Sequence, residues 1–447
     1  MRSPELPISR FIEGYNQSGT IRLHMPGHKG RALLGPEPLD ITEIKGADYL
    51  FEAEGIIHQS EDLAAELYGA GRTLFSTEGS SLSIKGMLAC VRAFLGKRTR
   101  IAAARNCHRA FLNGCILLGI EPVWIYPEKP SASICSAEVT PADIARLLKS
   151  DGGIGAVYIT SPDYLGSMAD IRRIAEICHA HNALLLVDNA HGAYLKFTGR
   201  PLHPLELGAD LCCDSAHKTL PALTGASLLH ISKSAPEEII SCGASEMSLF
   251  ASTSPSYVIM QSIERSIYEL RHGLGERIER CCGEVSSAKE KLISEGFELY
   301  GSEPMKLTVG AVSRGYTGEA LAQALRVGGI EPEYADSACV VLMPTPYNAP
   351  GELMRTVEVL SGLPVLGRKL SFPKPEVIRP ERALSPREAY FSPHRRVPVG
   401  EAEGRICART AISCQPSIPI IVPGEVFSDK IIRILESYSI MAAEVVE

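Results

Sequence analysis

The chain has 447 residues, of which 45% are hydrophobic and 22% charged, with a formal net charge of −7. That length exceeds what one ordinary core organises, so two or three domains are expected, and the acidic balance argues against a nucleic-acid or anionic-membrane partner. No apolar run approaches the roughly 18 residues that cross a bilayer, and residues 1–10 hold no uninterrupted apolar stretch of a secretion signal, so the expected location is the cytoplasm.

Near the start, His24-Met25-Pro26-Gly27-His28 offers H-x-x-x-H spacing. That spacing aligns two imidazoles only on a helix, and Pro-Gly between them breaks any helix. No metal site is expected; two histidines in a rigid turn suit the entrance of an active site. From about 70 to 232, β-rich runs alternate with amphipathic stretches. Strands are predicted at 72–77, 100–105, 122–126, 156–160, 184–188, 211–214 and 227–231. Helices are predicted between several of them, at 81–95, 108–118, 141–149 and 168–182. This alternation means an α/β fold with a mainly parallel sheet covered on both faces, whose ligands sit at the carboxyl ends of the strands. A long helical pattern follows over 256–295, then mixed elements over 300–365. Prolines at 373, 375, 380, 386, 393 and 398 mark an extended connection over 370–399. The 13 cysteines are an odd number in a large chain without a C-x-x-C pair, which reads as reduced core thiols rather than disulfides or a zinc site.

The chemistry is read from the strand ends. Neither G-x-G-x-x-G after the first strand nor a P-loop is present, so nucleotide readings are weak. The run Leu184–Val187 ends in Asp188, an acid that needs a partner if buried; alone it reads equally as a loop-ordering aspartate. Lys218, flanked by Ser215, His217 and Thr219 at the end of a second β-rich run, reads alone as a surface lysine. Together the two fit pyridoxal 5'-phosphate. A Schiff-base lysine needs a lowered pKa, which a cation such as protonated His217 can provide, and the pyridine nitrogen needs a carboxylate. Gly79-Ser80-Ser81, at the start of the helix predicted after the first strand, suits the phosphate, with a simple serine N-cap as the alternative. His108, after another strand, offers a planar ring to stack on a flat cofactor, or simply ends a helix.

Several segments then carry a family likeness. HMPGHKG (24–30), DITEIKGAD (40–48), RNCHRAFLNG (105–114), ITSPDYLG (159–166), LLVDNAHGAY (185–194), GADLCCDSAHKTLPALTGASLLH (208–230) and STSPSY (252–257) resemble the Orn/Lys/Arg decarboxylases. GRICA (404–408) and IPIIVPGE (418–425) resemble the small domain of that family. The resemblance implies an aspartate-aminotransferase-like large domain with a smaller α+β C-terminal domain. It divides the chain into an N-terminal segment 1–60 contributing to active site and subunit interface, a large domain 61–298 and a small domain 299–447, in a form lacking an N-terminal wing domain. It implies α-decarboxylation of a basic amino acid in a homodimer or larger homo-oligomer, with Lys218 as the Schiff-base lysine, Asp188 on the pyridinium and His108 on the ring face. Gly79, Ser80, Ser81, Ser215 and His217 would surround the phosphate, with Ser161 and His191 also at the cofactor. Another pyridoxal-phosphate reaction, or a non-catalytic regulatory relative, is the alternative.

The chain departs from the family pattern at Tyr49, Glu78, Asp163, Asn189, Tyr194 and Cys414–Ser417, so the cofactor constellation is kept while the substrate wall differs. A basic substrate ends in a cation that needs a carboxylate. Glu78 and Asp163, with Asp48 in the N-terminal motif, are the acids considered for it, with capping of local turns as the alternative.

Overall fold

A computed structural model describes residues 3–96, 99–128, 133, 135–367, 370, 377–412 and 418–447. In chain order the elements are α1 (Pro7–Gln17), α2 (Ile56–Tyr68), β1 (Arg72–Ser76), α3 (Ser80–Leu95), β2 (Arg100–Ala104), α4 (Arg109–Leu118), β3 (Glu121–Ile125), α5 (Pro141–Ser150), β4 (Ala156–Thr160), α6 (Ile171–Ala180), β5 (Leu184–Asp188) and β6 (Leu211–Asp214). After these come the one-turn α7 (Ala216–Thr219), β7 (Ser227–Ile231), α8 (Glu237–Ser248), α9 (Tyr257–Glu269), α10 (Gly275–Ser294), β8 (Glu298–Tyr300), β9 (Leu307–Gly310), α11 (Gly318–Val327), β10 (Tyr334–Ala335), β11 (Cys339–Leu342) and α12 (Glu352–Ser361). The predicted strands of the 72–231 region all form. The helical pattern over 256–295 breaks into α9 and α10 at Gly273, whose φ of +101° no helix continues through.

The chain makes two compact units, one of residues 1–97 and 184–277, the other of 98–183 and 278–447. Of the seven strands of the main sheet, the first unit carries β1, β7, β6 and β5, side by side in that order. β5 and β6 are parallel, while β7 runs antiparallel to both β6 and β1. Every residue of β5, β6 and β7 is buried, which is why these strands read as near-continuous apolar runs. Gly86 on α3 leaves room for Met247 of α8 to close onto it. The Glu264 carboxylate on α9 accepts the backbone N–H groups of Ile8 and Ser9 at 2.7 and 2.9 Å, an anion at the positive N-terminus of α1.

The second unit carries β4, β2 and β3 in that order, all parallel. α5 starts at Pro141 behind a Thr140/Asp143 capping box, as favoured at a first helical turn. A smaller antiparallel sheet, β10-β11-β9-β8, packs with α11 and α12 around Leu307, Val309, Leu321, Val340 and Leu360. The proline-rich stretch is only partly extended. Ser385 and Glu388 form a second capping box, so Pro386–Phe391 is helical, and His394–Pro398 pairs with Ala442–Val446. Cys414–Ser417 lie outside the described residues. Every cysteine among the described residues is a free thiol, and no helix among them is long and apolar enough to cross a membrane.

Candidate active site

Within the first unit, Asp188 pairs with Cys213 across β5 and β6. The parallel register brings the segments that follow each strand out at the same end. Asp188 is buried, and its Oδ1 accepts from Ala190 N at 3.2 Å and from the Cys213 thiol at 3.6 Å. After β6 the chain turns once as α7, which presents Lys218 half-buried with Nζ 3.1 Å from Nε2 of His191. His217 turns its Nδ1 to Ala226 O at 2.9 Å. Burial, and secondarily the charge of Lys218, lower the pKa of His217. Both causes favour the neutral imidazole, against the expectation of a protonated His217 beside Lys218.

The N-terminus of α3 is prepared for an anion. Its cap residue is Gly79, at φ +70° and ψ 179°, and no side chain caps the helix. Only glycine holds that backbone without strain. Gly79 N donates to Gly225 O at 2.7 Å, while the half-buried Ser80 and exposed Ser81 open the first turn. Uncapped N–H groups and hydroxyls at a helix start bind phosphate readily. Ser215 is fully buried with no hydrogen-bond partner for its Oγ, a polar atom left for a ligand to satisfy. A lysine amine, a strand-end carboxylate, an uncapped helix start and an unsatisfied serine together fit pyridoxal phosphate.

The second unit holds His108, Ser161 and Asp163. His108 is half-buried and N-caps α4, its Nδ1 accepting from Ala110 N at 3.2 Å. Ser161 is buried, and its Oγ accepts from Ala169 N at 3.1 Å. Asp163 is buried too; its Oδ1 accepts from Leu165 N and Ser167 N at 3.0 and 2.8 Å. Burial pushes its carboxyl up.

Two of the acids considered for the substrate accept backbone N–H groups. Asp48 accepts the N–H groups of Tyr49, Glu54, Gly55 and Ile57 at 2.8–3.1 Å, ordering the start of α2. Glu78 accepts from Ser252 N at 2.7 Å. His24 and His28 do not converge: the first meets the Tyr15 hydroxyl at 2.6 Å, the second Asp40 at 3.2 Å.

One cluster has no counterpart in the sequence reading. Asp214, the last residue of β6, sets Oδ2 at 3.1 Å from Nε2 of His203 and 3.3 Å from Nε2 of His230, all three residues fully buried. Thr73 hydrogen-bonds the other nitrogen of His230 at 2.8 Å. Asn189 donates to Oδ1 of Asp214 at 2.6 Å. The ligand atoms of His203, Asp214 and His230 lie within 4.8 Å of one another, a metal-compatible grouping tied by the His203–Asp214 hydrogen bond. The available signal was that Asp214 ends a buried strand as Asp188 does; the histidines, 11 residues before it and 16 after it, carried none.

The mainly parallel sheet with a strand-end lysine and aspartate defines a pyridoxal-phosphate-dependent enzyme of fold type I. The model of the Orn/Lys/Arg decarboxylase major domain matches residues 7–306, and that of the Orn/Lys/Arg decarboxylase C-terminal domain matches 372–445. The chain belongs to the Orn/Lys/Arg decarboxylase family: its cofactor is pyridoxal phosphate and its reaction is amino-acid decarboxylation. It is 29% identical to an arginine decarboxylase of Bacillus subtilis, covering 96% of this chain and 93% of that protein. It is 27% identical to one of Bacillus anthracis, covering 95% and 91%. The fold is shared with the lysine decarboxylase LdcF of Francisella novicida at a TM-score of 0.79 and 16% identity, over 99% of this chain and 81% of that one.

Proposed function

We propose that this enzyme removes the α-carboxylate of a basic amino acid, arginine, lysine or ornithine, and releases the corresponding amine. The observation that carries the reading is the Lys218 amine, 3.1 Å from His191, at the end of the strand beside the one that Asp188 closes. Full-length similarity to arginine decarboxylases supports the substrate class. When bound, pyridoxal phosphate supplies an electron sink for the pair left behind as carbon dioxide departs.

The chain's own residues hold and tune that group. Lys218 supplies the amine that binds it, and His191 can exchange a proton with that amine. Asp188, stripped of water and fixed by Ala190 N, holds a proton on the pyridine nitrogen. Gly79, Ser80 and Ser81 offer the phosphate their uncapped helix start, and Ser215 and His217 complete its surroundings. His108 and Ser161 are assigned to the cofactor by the family motifs that contain them.

Residues 1–60, 61–298 and 299–447 are our division into N-terminal segment, large domain and small domain. We also infer a cytoplasmic homodimer or larger homo-oligomer that serves polyamine synthesis. Ile21, Leu23, Met25, Leu33 and Leu34 are 65–91% exposed in the N-terminal segment, an apolar row that a second subunit would cover. Light scattering reads the assembly. The function is tested by incubating the cofactor-loaded protein with each of the three amino acids and measuring carbon dioxide and amine. Keto-acid formation without carbon dioxide would replace decarboxylation by transamination.

A further inference from the structure

Asp188 has a register partner across the sheet. In the parallel pairing of β5 with β6 it lies opposite Cys213, and residues paired in this way carry their side chains on the same face. The ladder runs one step further, Asn189 N donating to Cys213 O at 3.0 Å, so the backbone around the pair is fixed from both strands. Both side chains are buried, and the Cys213 sulfur lies 3.6 Å from Oδ1 of Asp188. Asp214, the next residue of β6, belongs to the opposite face, where it meets His203 and His230.

A thiol beside a carboxylate oxygen supports it by donating, and only while it keeps its proton. Burial, and after it the charge of Asp188, push the Cys213 thiol up, so the S–H is retained at neutral pH. Oδ1 of Asp188 therefore accepts from two sides: from Ala190 N at 3.2 Å in the turn after β5, and from Cys213 on β6. The terminal torsion of an aspartate is broad and roughly two-fold, so one donor leaves the carboxylate plane loosely set. A second donor, brought by a different strand, narrows it.

We infer that Cys213 is a positioning residue for the reaction: its S–H holds the Asp188 carboxylate in the orientation that keeps a proton on the pyridine nitrogen. The inference rests on the role of Asp188 given above and deepens it.

Three variants of the full-length, cofactor-loaded protein test it. Cys213→Ala and Cys213→Val remove the donor, the second while keeping bulk suited to a strand. Cys213→Ser keeps a donor and removes the sulfur. A proton on the pyridine nitrogen adds positive charge to the ring and so disfavours another on the nitrogen that joins the cofactor to Lys218. The pH midpoint of the cofactor's absorbance change reads that second proton. It should rise by about half a unit to one unit in Cys213→Ala and Cys213→Val, and stay within about 0.2 unit of wild type in Cys213→Ser. Turnover should follow the same order: kcat lower by about threefold to tenfold without the donor, KM within about twofold, and kcat largely recovered with serine. A packing role predicts the reverse ranking, since valine fills the space and a buried hydroxyl is the poorer substitute for sulfur.

A midpoint and kcat unchanged in the variants without a donor, or Cys213→Ser impaired as much as they are, would overturn the inference. If Cys213→Ala does not fold, Cys213→Val carries the same test. Asp188→Asn separates the inference from the reading beneath it. A midpoint that moves in Asp188→Asn but not in the Cys213 variants leaves Asp188 its role and takes the positioning role from Cys213. Wild-type midpoint and turnover in Asp188→Asn would end the reading of Asp188, and the inference with it. In an Asp188→Asn background, Cys213→Ala should add nothing to either readout. A further shift there would mean that the sulfur does not act through the carboxylate, and would equally overturn the inference.

Discussion

Asn189 donates a 2.6 Å hydrogen bond from its side-chain amide to Oδ1 of Asp214, joining the residue after Asp188 to the last residue of β6. The other carboxylate oxygen of Asp214 meets both His203 and His230. Although burial opposes the charge, these two imidazoles hold the Asp214 carboxyl well below the usual range. The network thus fastens together the two strand ends that carry Asp188 and Lys218.

Asp214→Ala should therefore destabilise the fold by about 3–5 kcal/mol, because it strands two buried imidazoles and an amide. Asn189→Ala should cost less, about 1–3 kcal/mol, by leaving one carboxylate oxygen unsatisfied. Thermal denaturation of both variants checks the order. An Asp214→Ala protein as stable as the wild type would mean that the histidines need no carboxylate.

Lys218→Ala should keep the fold, since the side chain is half-buried at the end of a one-turn helix. Turnover should drop by orders of magnitude with the nucleophilic amine gone. Borohydride treatment of the cofactor-loaded wild type should fix the cofactor covalently to the peptide carrying Lys218, as read by mass spectrometry. A labelled Lys218→Ala protein would move the attachment to another lysine.

Asp188→Ala should lower turnover strongly in a way that saturating cofactor does not repair, because a bound ring without its carboxylate partner is a weaker electron sink. Titrating cofactor into the variant while following product separates this from a binding defect. Full recovery at high cofactor would remove the electronic role.

Glu61 on α2 gives a pH-dependent outcome. It is buried, and burial pushes its carboxyl up to about 8 while Phe75 N donates to it at 2.8 Å. Its folded pKa lies above the ordinary value of roughly 4.3, so the folded chain holds a proton that the unfolded chain has released. Its contribution to stability is whole below that ordinary value and is lost as pH rises through about 8. Glu61→Gln keeps an acceptor for Phe75 and has no charge to bury. Its melting temperature relative to wild type should rise steadily between about pH 5 and pH 9, a pH-independent difference being the contrary result. Asp214 works in the opposite sense: its pKa is lowered, so its contribution is lost toward acid pH.

Much of this protein is local and therefore written in the order of its residues. The strands of the 72–231 region are short apolar runs bounded by turn residues, and burial on both faces of a parallel sheet makes such runs legible without any tertiary information. Lys218 and Asp188 stood out because a charge placed directly after a buried run is costly unless it has work to do. What folding alone decided is which side chains meet. His203, Asp214 and His230 are separated along the chain and carry no spacing signature, yet they share one buried carboxylate. Asp48, Glu78 and Asp163 looked alike as acids near the cofactor segments. Backbone N–H groups take up both oxygens of Asp48 and one of the exposed Glu78, while the buried Asp163 orders its own turn by accepting from Leu165 and Ser167. A carboxylate's role depends on which donors reach it, and those donors come from segments that only the closed chain brings within about 3 Å.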